Sequence, residues 1–320
     1  MRATQLRSDA RSLFTGDLQH PAEIARTFRP TYTSELGAAF SADSLHVMKS
    51  LPDESVAPVI TSPPYALHFK KEYGNVDKDD YVRWMLPFVK EIRRILRHDG
   101  SFVLNIGGSY HAGTPTRSLY HFKLLIAIVE EAGFHLAQEC FWQNPAKLPS
   151  PAEWVNVRRS RIKDSVEYIW WFSPTPWPYA DNRQVLVPYS PDMKRLIAKG
   201  YKPKRRPSGH VITAKFRNNR GGAIPQNVLV RGNNESNSAY ITACKELGAK
   251  VHPARFPSAL PEFFIRFLTR VGDLVLDPFA GSNTTGRVAE DLERRWIAID
   301  IDEAYVRASG VRFGLDPKNL

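Results

Sequence analysis

The chain has 320 residues, 42% of them hydrophobic, which is long enough for one large α/β domain with an insertion or for two ordinary domains. No apolar run approaches the roughly 20 residues needed to cross a membrane, and the polar N-terminus lacks a signal-peptide core, so we expect a cytoplasmic protein. Two cysteines, Cys140 and Cys244, are too few for a disulfide framework or a structural zinc site. Both are predicted to be buried apolar residues, and no metal is expected.

The first half of the chain alternates strand-like and helix-like segments. Asp43 or Ser44 begins the first helix, and Asp99-Gly100 turns the chain out of the second. The segment Ser62-Pro63-Pro64-Tyr65 breaks a buried strand, because proline cannot continue a central strand. Strands are predicted at 38–41, 56–61, 101–106, 134–142 and 166–172, and helices at 43–51, 79–97 and 120–131.

The composition changes at Ser173-Pro-Thr-Pro-Trp-Pro and stays different to about Lys250. This stretch is rich in Pro, Asn, Gly, Arg and Lys and shows little periodicity, which predicts an inserted, loop-rich binding region. Between Ser190 and Arg220, ten basic residues accompany one acid, Asp192, so that segment supplies +9 of the net charge of +11. A charge run is often only a solvated face, but this density favours a polyanion such as nucleic acid.

Regular structure is predicted again in the last part of the chain. A helix is expected from Leu260 to Thr269, a strand at 274–276, a helix to about Glu293 and a strand at 296–299. Strands alternating with helices indicate an α/β fold with a mostly parallel, doubly wound sheet. The chain therefore divides into a first part of the sheet domain (1–172), the inserted region (173–250) and a second part of the sheet domain (251–320).

The loop Asp277-Pro-Phe-Ala-Gly-Ser-Asn-Thr-Thr-Gly286 joins a strand to a helix. Its small residues leave backbone N–H groups and space at the carboxyl end of the strand, where open α/β sheets bind ligands. Asp300 ends the next strand, 23 residues further on, where a carboxylate can accept both ribose hydroxyls. The loop alone fits an ordinary strand-to-helix turn, but with Asp300 it predicts a nucleoside ligand. The glycines and lysine of a phosphate-binding loop are missing.

The Ser62–Tyr65 segment is the second informative motif. Its two prolines stiffen the loop, so the Ser62 hydroxyl and a nearby carbonyl are held in fixed directions before a ligand binds. Such acceptors can take both protons of an amino group and direct its lone pair towards an electrophile. Tyr65 offers a face on which an unstacked base can lie. By itself, the segment also fits a stiff surface turn.

Together the two loops resemble those of the amino DNA methyltransferases of restriction-modification systems, in the permuted β arrangement where the Pro-Pro-Tyr loop precedes the cofactor loop. The resemblance is closest to the PvuII-type N4-cytosine enzymes and covers nearly the full chain. It implies a Rossmann-like class I methyltransferase fold of circularly permuted order, S-adenosylmethionine as cofactor, double-stranded DNA as substrate and a flipped target base. The matching segments are Thr61–Leu67, Lys70–Asn75, Lys147–Pro151, Glu153–Asn156, Arg206–His210, His252–Pro257 and Gly281–Gly286.

The same resemblance assigns roles to individual residues. The catalytic loop would be Ser62, Pro63, Pro64 and Tyr65. Phe279, Gly281 and Ser282 would cradle the methionine part of the cofactor, and Asp300 would hold its ribose. The other residues expected beside the cofactor are Asp43, His252, Pro257, Asp277, Asn283 and Thr284. The residues expected to contact DNA phosphates or base edges, in the basic target-recognition region, are Lys204, Arg205, Arg206, His210, Lys215, Arg217 and Arg220.

Two positions depart from the family pattern. The usual cofactor loop reads Phe-x-Gly-x-Gly, but Asn283 stands at the second glycine. Asn tolerates a left-handed backbone best after Gly, so the turn is expected to survive. The closest type carries an acid where this chain has Asn105. If that acid helps to remove the amine proton, Asn105 can only hydrogen-bond, and a proton-relay role is not predicted for it.

Ser62 favours cytosine N4 as the target, because adenine N6 enzymes usually have Asp or Asn there; adenine N6 stays open as the alternative. Cytosine C5 methylation is excluded because neither cysteine follows a proline in a catalytic-looking loop. An inactive DNA-binding protein would have lost one of the loops, and an NAD-linked enzyme would not explain the basic insertion. A cognate restriction endonuclease would be a partner, whereas an orphan epigenetic enzyme would have none. Monomer and homodimer both stay open.

Overall fold

The computed structural model describes residues 18–66, 76–200, 204–205, 211–212, 218–233 and 238–320, with the backbone alone at 204–205, 211–212 and 238. The helices are α1 (Pro21–Ile24), α2 (Ser44–Ser50), α3 (Tyr81–Ile95), α4 (Tyr120–Glu130), α5 (Pro191–Lys199), α6 (Ser238–Leu247), α7 (Ala259–Leu268), α8 (Thr284–Asp291) and α9 (Glu303–Ser309). The strands are β1 (Tyr32–Thr33), β2 (Gly37–Ser41), β3 (Val56–Thr61), β4 (Leu96–Ile106), β5 (His135–Gln143), β6 (Val166–Ser173), β7 (Lys204–Arg205), β8 (Val211–Ile212), β9 (Val228–Val230), β10 (Leu274–Asp277) and β11 (Arg295–Asp300). Short turns of other helical types are Glu153–Val157, Asn182–Val185, Gly310–Phe313 and Pro317–Asn319.

One large sheet holds the molecule together, in the order β1-β2-β11-β10-β3-β4-β6-β5-β9. Strands β2, β11, β10, β3 and β4 run parallel to their neighbours within that group. Strand β6 is antiparallel to both β4 and β5, and β9 joins the outer edge parallel to β5. The predicted mostly parallel sheet is confirmed.

Alternate residues of the central strands enter hydrophobic cores on opposite faces of the sheet. In β4, Phe102 and Leu104 belong to one core, whereas Val103 belongs to the other. Helices α2, α3 and α4 cover the first core, and α7, α8 and α9 cover the second. Since both faces are covered, the central strands are apolar throughout, and the sheet is doubly wound as predicted. Cys140 and Cys244 are buried, also as predicted.

The boundary between α3 and β4 differs from the prediction. The helix ends at Ile95 and the strand begins at once at Leu96, so Asp99-Gly100 lies inside the strand. Leu96 pairs with Val56 and Ser101 pairs with Pro58, which leaves the residues between them as an irregularity in β4. An Asp-Gly pair usually indicates a turn between elements. Here it is a local irregularity, because β4 pairs with β3 both before and after it.

Region 173–250 has more regular structure than its composition predicts. Helix α5 begins after Ser190, whose hydroxyl accepts the Met193 N–H. Strand β9 extends the main sheet, and α6 packs Cys244 against Ala308 of α9. The loop-rich interpretation did not include these segments, because a short amphipathic helix and a three-residue strand give only a weak periodicity in the sequence.

The direction of the strands decides where polar side chains meet. The carboxyl ends of β2, β3, β4, β10 and β11 share one edge of the sheet, where ligands bind in open α/β folds. Because β6 runs the opposite way, its first residues reach that same edge. In the part of the chain that the structure describes, no helix has the length and apolar character needed to span a membrane.

Candidate active site

A cleft of about 940 Å³ opens at the carboxyl edge of the sheet. Its volume falls within the range of roughly 300–1,000 Å³ usual for small-molecule sites. The cleft brings together the two loops that the sequence singled out, one following β3 and the other following β10. The predicted site residues that line it are Asp43, Ser62, Pro63, Pro64, Tyr65, His252, Phe279, Gly281, Ser282, Thr284 and Asp300.

The Ser62–Tyr65 loop is held by contacts on both sides. The Tyr81 hydroxyl of α3 donates a hydrogen bond of 2.9 Å to the carbonyl of Pro64. The ring of Tyr65 lies so close to Gly107 that a Cβ there would be 2.6 Å from it. Any side chain at position 107 would displace the tyrosine, so glycine at the end of β4 is part of the loop's support.

The hydroxyl of Tyr65 is the centre of a polar cluster. It donates to Glu167 Oε2 at 2.9 Å, lies 3.1 Å from Ser62 Oγ, and accepts from Asn105 Nδ2 at 2.9 Å. Lys147 Nζ donates to the other oxygen of Glu167 at 2.9 Å. Burial, and then the Glu167 charge, raise the pKa of Tyr65 well above its ordinary value, so Tyr65 is a neutral phenol at physiological pH.

Asn105 is 7% exposed and lies beside this hydroxyl. Its amide orientation follows from the donors around it: the one phenol proton goes to the Glu167 carboxylate, so the Tyr65 oxygen accepts from Nδ2. Oδ1 of Asn105 is buried with no hydrogen-bond partner among the described residues. Asn105 therefore acts on Tyr65 as a donor.

The cofactor loop has the backbone that its sequence predicts. Asn283 is left-handed, with φ 51° and ψ 46°, which confirms that it replaces the family's second glycine without breaking the turn. Gly281 also has a positive φ, and a Cβ there would be 3.0 Å from the His252 ring. The Gly281 N–H donates to Asp300 Oδ2 at 2.8 Å, and burial raises the pKa of the Asp300 carboxyl.

Asp277, the last residue of β10, does not line the cleft but contacts residues next to both loops. Its carboxylate accepts from the hydroxyls of Thr61 at 2.6 Å and Thr285 at 2.7 Å, and burial raises its pKa to about 6. Asn283 and Pro257 are likewise absent from the lining: Asn283 caps α8 by accepting the Gly286 N–H. Asp277 and Asn283 therefore stabilise the cofactor loop without lining the cleft, whereas the Pro257 carbonyl accepts the Leu260 N–H at the start of α7.

Several residues that line the cleft were missed by the sequence analysis. Trp84 and Phe88 of α3 pack against Phe279 in tilted arrangements, with ring centroids 5.8 and 5.2 Å from it. Glu167 and Lys147 face the catalytic loop, and both come from the antiparallel pair β5–β6 and its connection. A polar residue at the start of an otherwise apolar strand was the available signal for Glu167. Other lining residues not foreseen include Trp142, Asn144, Asn233, Ile301 and Asp302.

The residues expected to contact DNA fall mostly outside the described side chains. Arg220 is the exception: it is exposed, and its N–H donates to the Tyr189 hydroxyl at 2.8 Å. Lys204 and Arg205 are described by backbone alone, in the short antiparallel pair of β7 and β8. The side chains of Arg206, His210, Lys215 and Arg217 lie outside the described residues.

The fold and the paired loops define a DNA methylase: the DNA methylase family model for N6 and N4 enzymes matches residues 56–310, and the chain belongs to this family. It is 52% identical over 288 residues to the type II methyltransferase M.PvuII of Proteus hauseri, covering 89% of this chain and 86% of that protein. The solved PvuII DNA methyltransferase (cytosine-N4-specific) superposes with a TM-score of 0.74 at 44% identity, over 91% of this chain and 92% of that one. A complex of M1.HpyAVI with SAM, 20% identical, shares the fold with a TM-score of 0.54 over 88% of this chain and 100% of that one. The predicted class I methyltransferase fold is confirmed.

Proposed function

We propose that the protein is a site-specific DNA methyltransferase that transfers a methyl group from S-adenosylmethionine to N4 of cytosine. The main support is that the Ser62–Tyr65 loop and the cofactor loop line one cleft, and that Thr61 and Asp277 tie their strands together by a hydrogen bond of 2.6 Å. One wall is built to hold an amino group and the other to hold a nucleoside. The likeness to M.PvuII and the serine at position 62 support cytosine N4 over adenine N6.

The residues of the cofactor end fit S-adenosylmethionine. That molecule has an ammonium group, a sulfonium and a ribose diol, and the carboxylates of Asp43, Asp300 and Asp302 line this end of the cleft. A side chain at Gly281 would fill the space in front of His252. The pyrophosphate of NAD would meet the same carboxylates and be repelled by them. When bound, S-adenosylmethionine supplies an electrophilic methyl group.

DNA would bind across the mouth of the cleft with the target base flipped into it, because a paired base cannot bring its amino group to Ser62. We place target recognition in residues 173–227, which is narrower than the inserted region predicted from composition, since β9 and α6 belong to the sheet domain. The basic residues of this segment would neutralise phosphates. Because it would act on DNA, we also propose that the protein is located in the cytoplasm, at the nucleoid.

Catalysis by the protein would consist mainly of positioning. The Ser62 hydroxyl and the carbonyls of the stiff loop accept the amine protons, which turns the nitrogen lone pair towards the methyl group. Holding the reacting atoms about 3 Å apart replaces a bimolecular encounter, an effect that can be worth roughly 7–11 kcal/mol. No covalent enzyme intermediate is required.

The product identifies the reaction. Purified protein would be incubated with S-adenosylmethionine and unmethylated DNA, and the DNA digested to nucleosides for mass spectrometry. We expect N4-methylcytosine. N6-methyladenine as the sole product would establish the alternative, and unmodified DNA would contradict the proposal. Sequencing the methylated DNA with detection at each base would then define the recognition sequence.

The cofactor is tested separately by calorimetric titration of the protein with S-adenosylmethionine and with NAD. We expect saturable binding of the first alone. Asp300→Asn is the informative variant, because it removes the carboxylate charge at the ribose position, and Asp291→Asn is a control on the exposed end of α8. Weaker binding in the first variant alone supports the ribose assignment, and equal binding in both contradicts it.

A further inference from the structure

Three oxygen atoms form a row from the floor of the cleft to the start of β6. Ser62 Oγ lies 3.1 Å from the Tyr65 hydroxyl, which lies 2.9 Å from Glu167 Oε2. Ser62 and Glu167 both line the cleft, and the Tyr65 hydroxyl connects the two through its hydrogen bonds. The row therefore connects the amine position to a carboxylate that neither sequence motif contains.

The donors in this row all point the same way. Glu167 is paired with Lys147 at 2.9 Å and its carboxylate only accepts, so Tyr65 must donate to it. The Tyr65 oxygen then accepts from Asn105 Nδ2 and from the Ser62 hydroxyl. With its own proton directed at Tyr65, Ser62 has lone pairs left for an N–H of the substrate.

We propose that Glu167 is the final acceptor of the proton that the cytosine amine loses on methylation, reached through Ser62 and Tyr65. This inference rests on the proposed function. The N–H bond breaks and its electron pair stays on nitrogen, which cancels the positive charge gained with the methyl group. The proton goes to Ser62 Oγ, the Ser62 proton goes to the Tyr65 oxygen, and the Tyr65 proton goes to Glu167, which becomes a carboxylic acid.

Glu167 is the base of this relay because the other side chains around the Tyr65 hydroxyl cannot keep the proton. Asn105 is an amide, so it cannot take up the proton. Among the described residues, Glu167 is the one carboxylate hydrogen-bonded to a side chain of the Ser62–Tyr65 loop. Tyr65 does not remain as a phenolate after the transfer, since its pKa is well above the ordinary value. It therefore passes the proton from Ser62 on to Glu167.

The primary test is Glu167→Gln, with Glu139→Gln as the matched control on the exposed part of β5. Single-turnover methylation would be followed at saturating S-adenosylmethionine and DNA, at one fixed pH for all variants. We expect the rate of Glu167→Gln to be about 100-fold lower than that of the wild type. The binding constants of the cofactor and DNA should match the wild type. A rate within threefold of the wild type overturns the proposal.

A rescue separates a proton acceptor from a structural partner of Tyr65. Asn105→Asp in the Glu167→Gln background puts a carboxylate beside the Tyr65 hydroxyl, where Nδ2 now lies 2.9 Å from it. We expect the rate to recover at least tenfold. Failure to recover in a folded double variant overturns the relay. If Glu167→Gln does not fold, Tyr65→Phe decides: it breaks the row, so a wild-type rate overturns the proposal and a large loss with normal DNA binding supports it.

A further readout needs neither cofactor nor DNA. In protein labelled with ¹³Cζ-tyrosine, the chemical shift of the Tyr65 signal, assigned with Tyr65→Phe, should differ between the wild type and Glu167→Gln, because the Tyr65 hydroxyl donates to the Glu167 carboxylate. A signal that is identical in both proteins contradicts the hydrogen bond on which the relay depends. Wild-type protein that does not form N4-methylcytosine would instead contradict the proposed function, so the two failures are distinguishable.

Discussion

At the scale of single residues, Ser62 is expected to matter for chemistry more than for binding. Its hydroxyl lines the cleft 3.1 Å from the Tyr65 hydroxyl, and Ser62 is not among the residues expected to contact DNA phosphates. Ser62→Ala should therefore lower the single-turnover rate by about 100-fold while changing the DNA dissociation constant less than threefold. Ser55→Ala, in an exposed turn, is the control. An unchanged rate for Ser62→Ala would remove Ser62 from the mechanism.

His121 is a second residue whose environment makes a measurable prediction. It is 0% exposed, and neither ring nitrogen has a hydrogen-bond partner among the described residues. Burial, and then the charge of Arg117, lower its pKa from 6.5 to about 4. The folded state keeps this ring neutral while the unfolded chain takes up a proton, so stability is full above pH 6.5 and is lost as the pH falls towards 4.

His121→Leu should remove this loss. Linkage with the two pKa values gives about 2 kcal/mol less stability for the wild type at pH 5 than at pH 7, a difference that the variant should lack. The variant should also be more stable at pH 7, since it buries no unpaired ring nitrogen. Urea unfolding at both pH values measures this, with His46→Leu, at an exposed position of α2, as the control. The same pH dependence in both variants would contradict the assignment.

At the scale of elements, the start of α8 depends on Asn283 for two reasons. Its backbone is left-handed, and its side chain caps the helix at Gly286. Asn283→Ala loses the cap and strains the backbone, which should lower the free energy of unfolding by about 2 kcal/mol. Asn283→Gly loses the cap but suits the backbone, so it should cost clearly less. Equal losses in urea unfolding would show that backbone strain is unimportant here.

The elements also show what a sequence can predict about this site. The loops after β3 and β10 were predicted because their signals are local: prolines that stop a strand, and small residues that start a helix. Glu167 could not be predicted in the same way, because its position depends on β6 running antiparallel to β4. Strand order and direction follow from packing between distant segments, which no short pattern encodes. The same reason hid β9, a three-residue strand at the sheet edge.

At the scale of the whole molecule, the net charge of +11 predicts how DNA binding responds to salt. Each phosphate neutralised by the protein releases counterions, so the logarithm of affinity falls with the logarithm of salt concentration by about 0.9 per contact. A variant with Lys204, Arg205 and Arg206 changed to Ala should bind DNA more weakly at low salt. The salt slope should fall by up to about 3.

The control for that measurement changes three other exposed basic residues, Arg26, Arg29 and Lys49, which lie outside the cleft lining. Fluorescence anisotropy over a series of salt concentrations gives both slopes. We expect the control to keep the wild-type slope, because its residues lie outside the proposed recognition segment. If the salt slope falls by the same amount in both triple variants, the basic segment acts only through the overall charge of the molecule.

The hydrogen bond between Thr61 and Asp277 joins residues 216 positions apart in the chain. The two halves of the chemistry are therefore mounted on neighbouring strands, and their separation is set by the inter-strand spacing of about 4.8 Å common to all sheets. Nothing in that arrangement depends on which strand is translated first. A chain whose ends were joined and reopened elsewhere would rebuild the same cleft, provided that β3 and β10 remained side by side. The order of the two loops along the chain can therefore change in evolution while the active site stays the same.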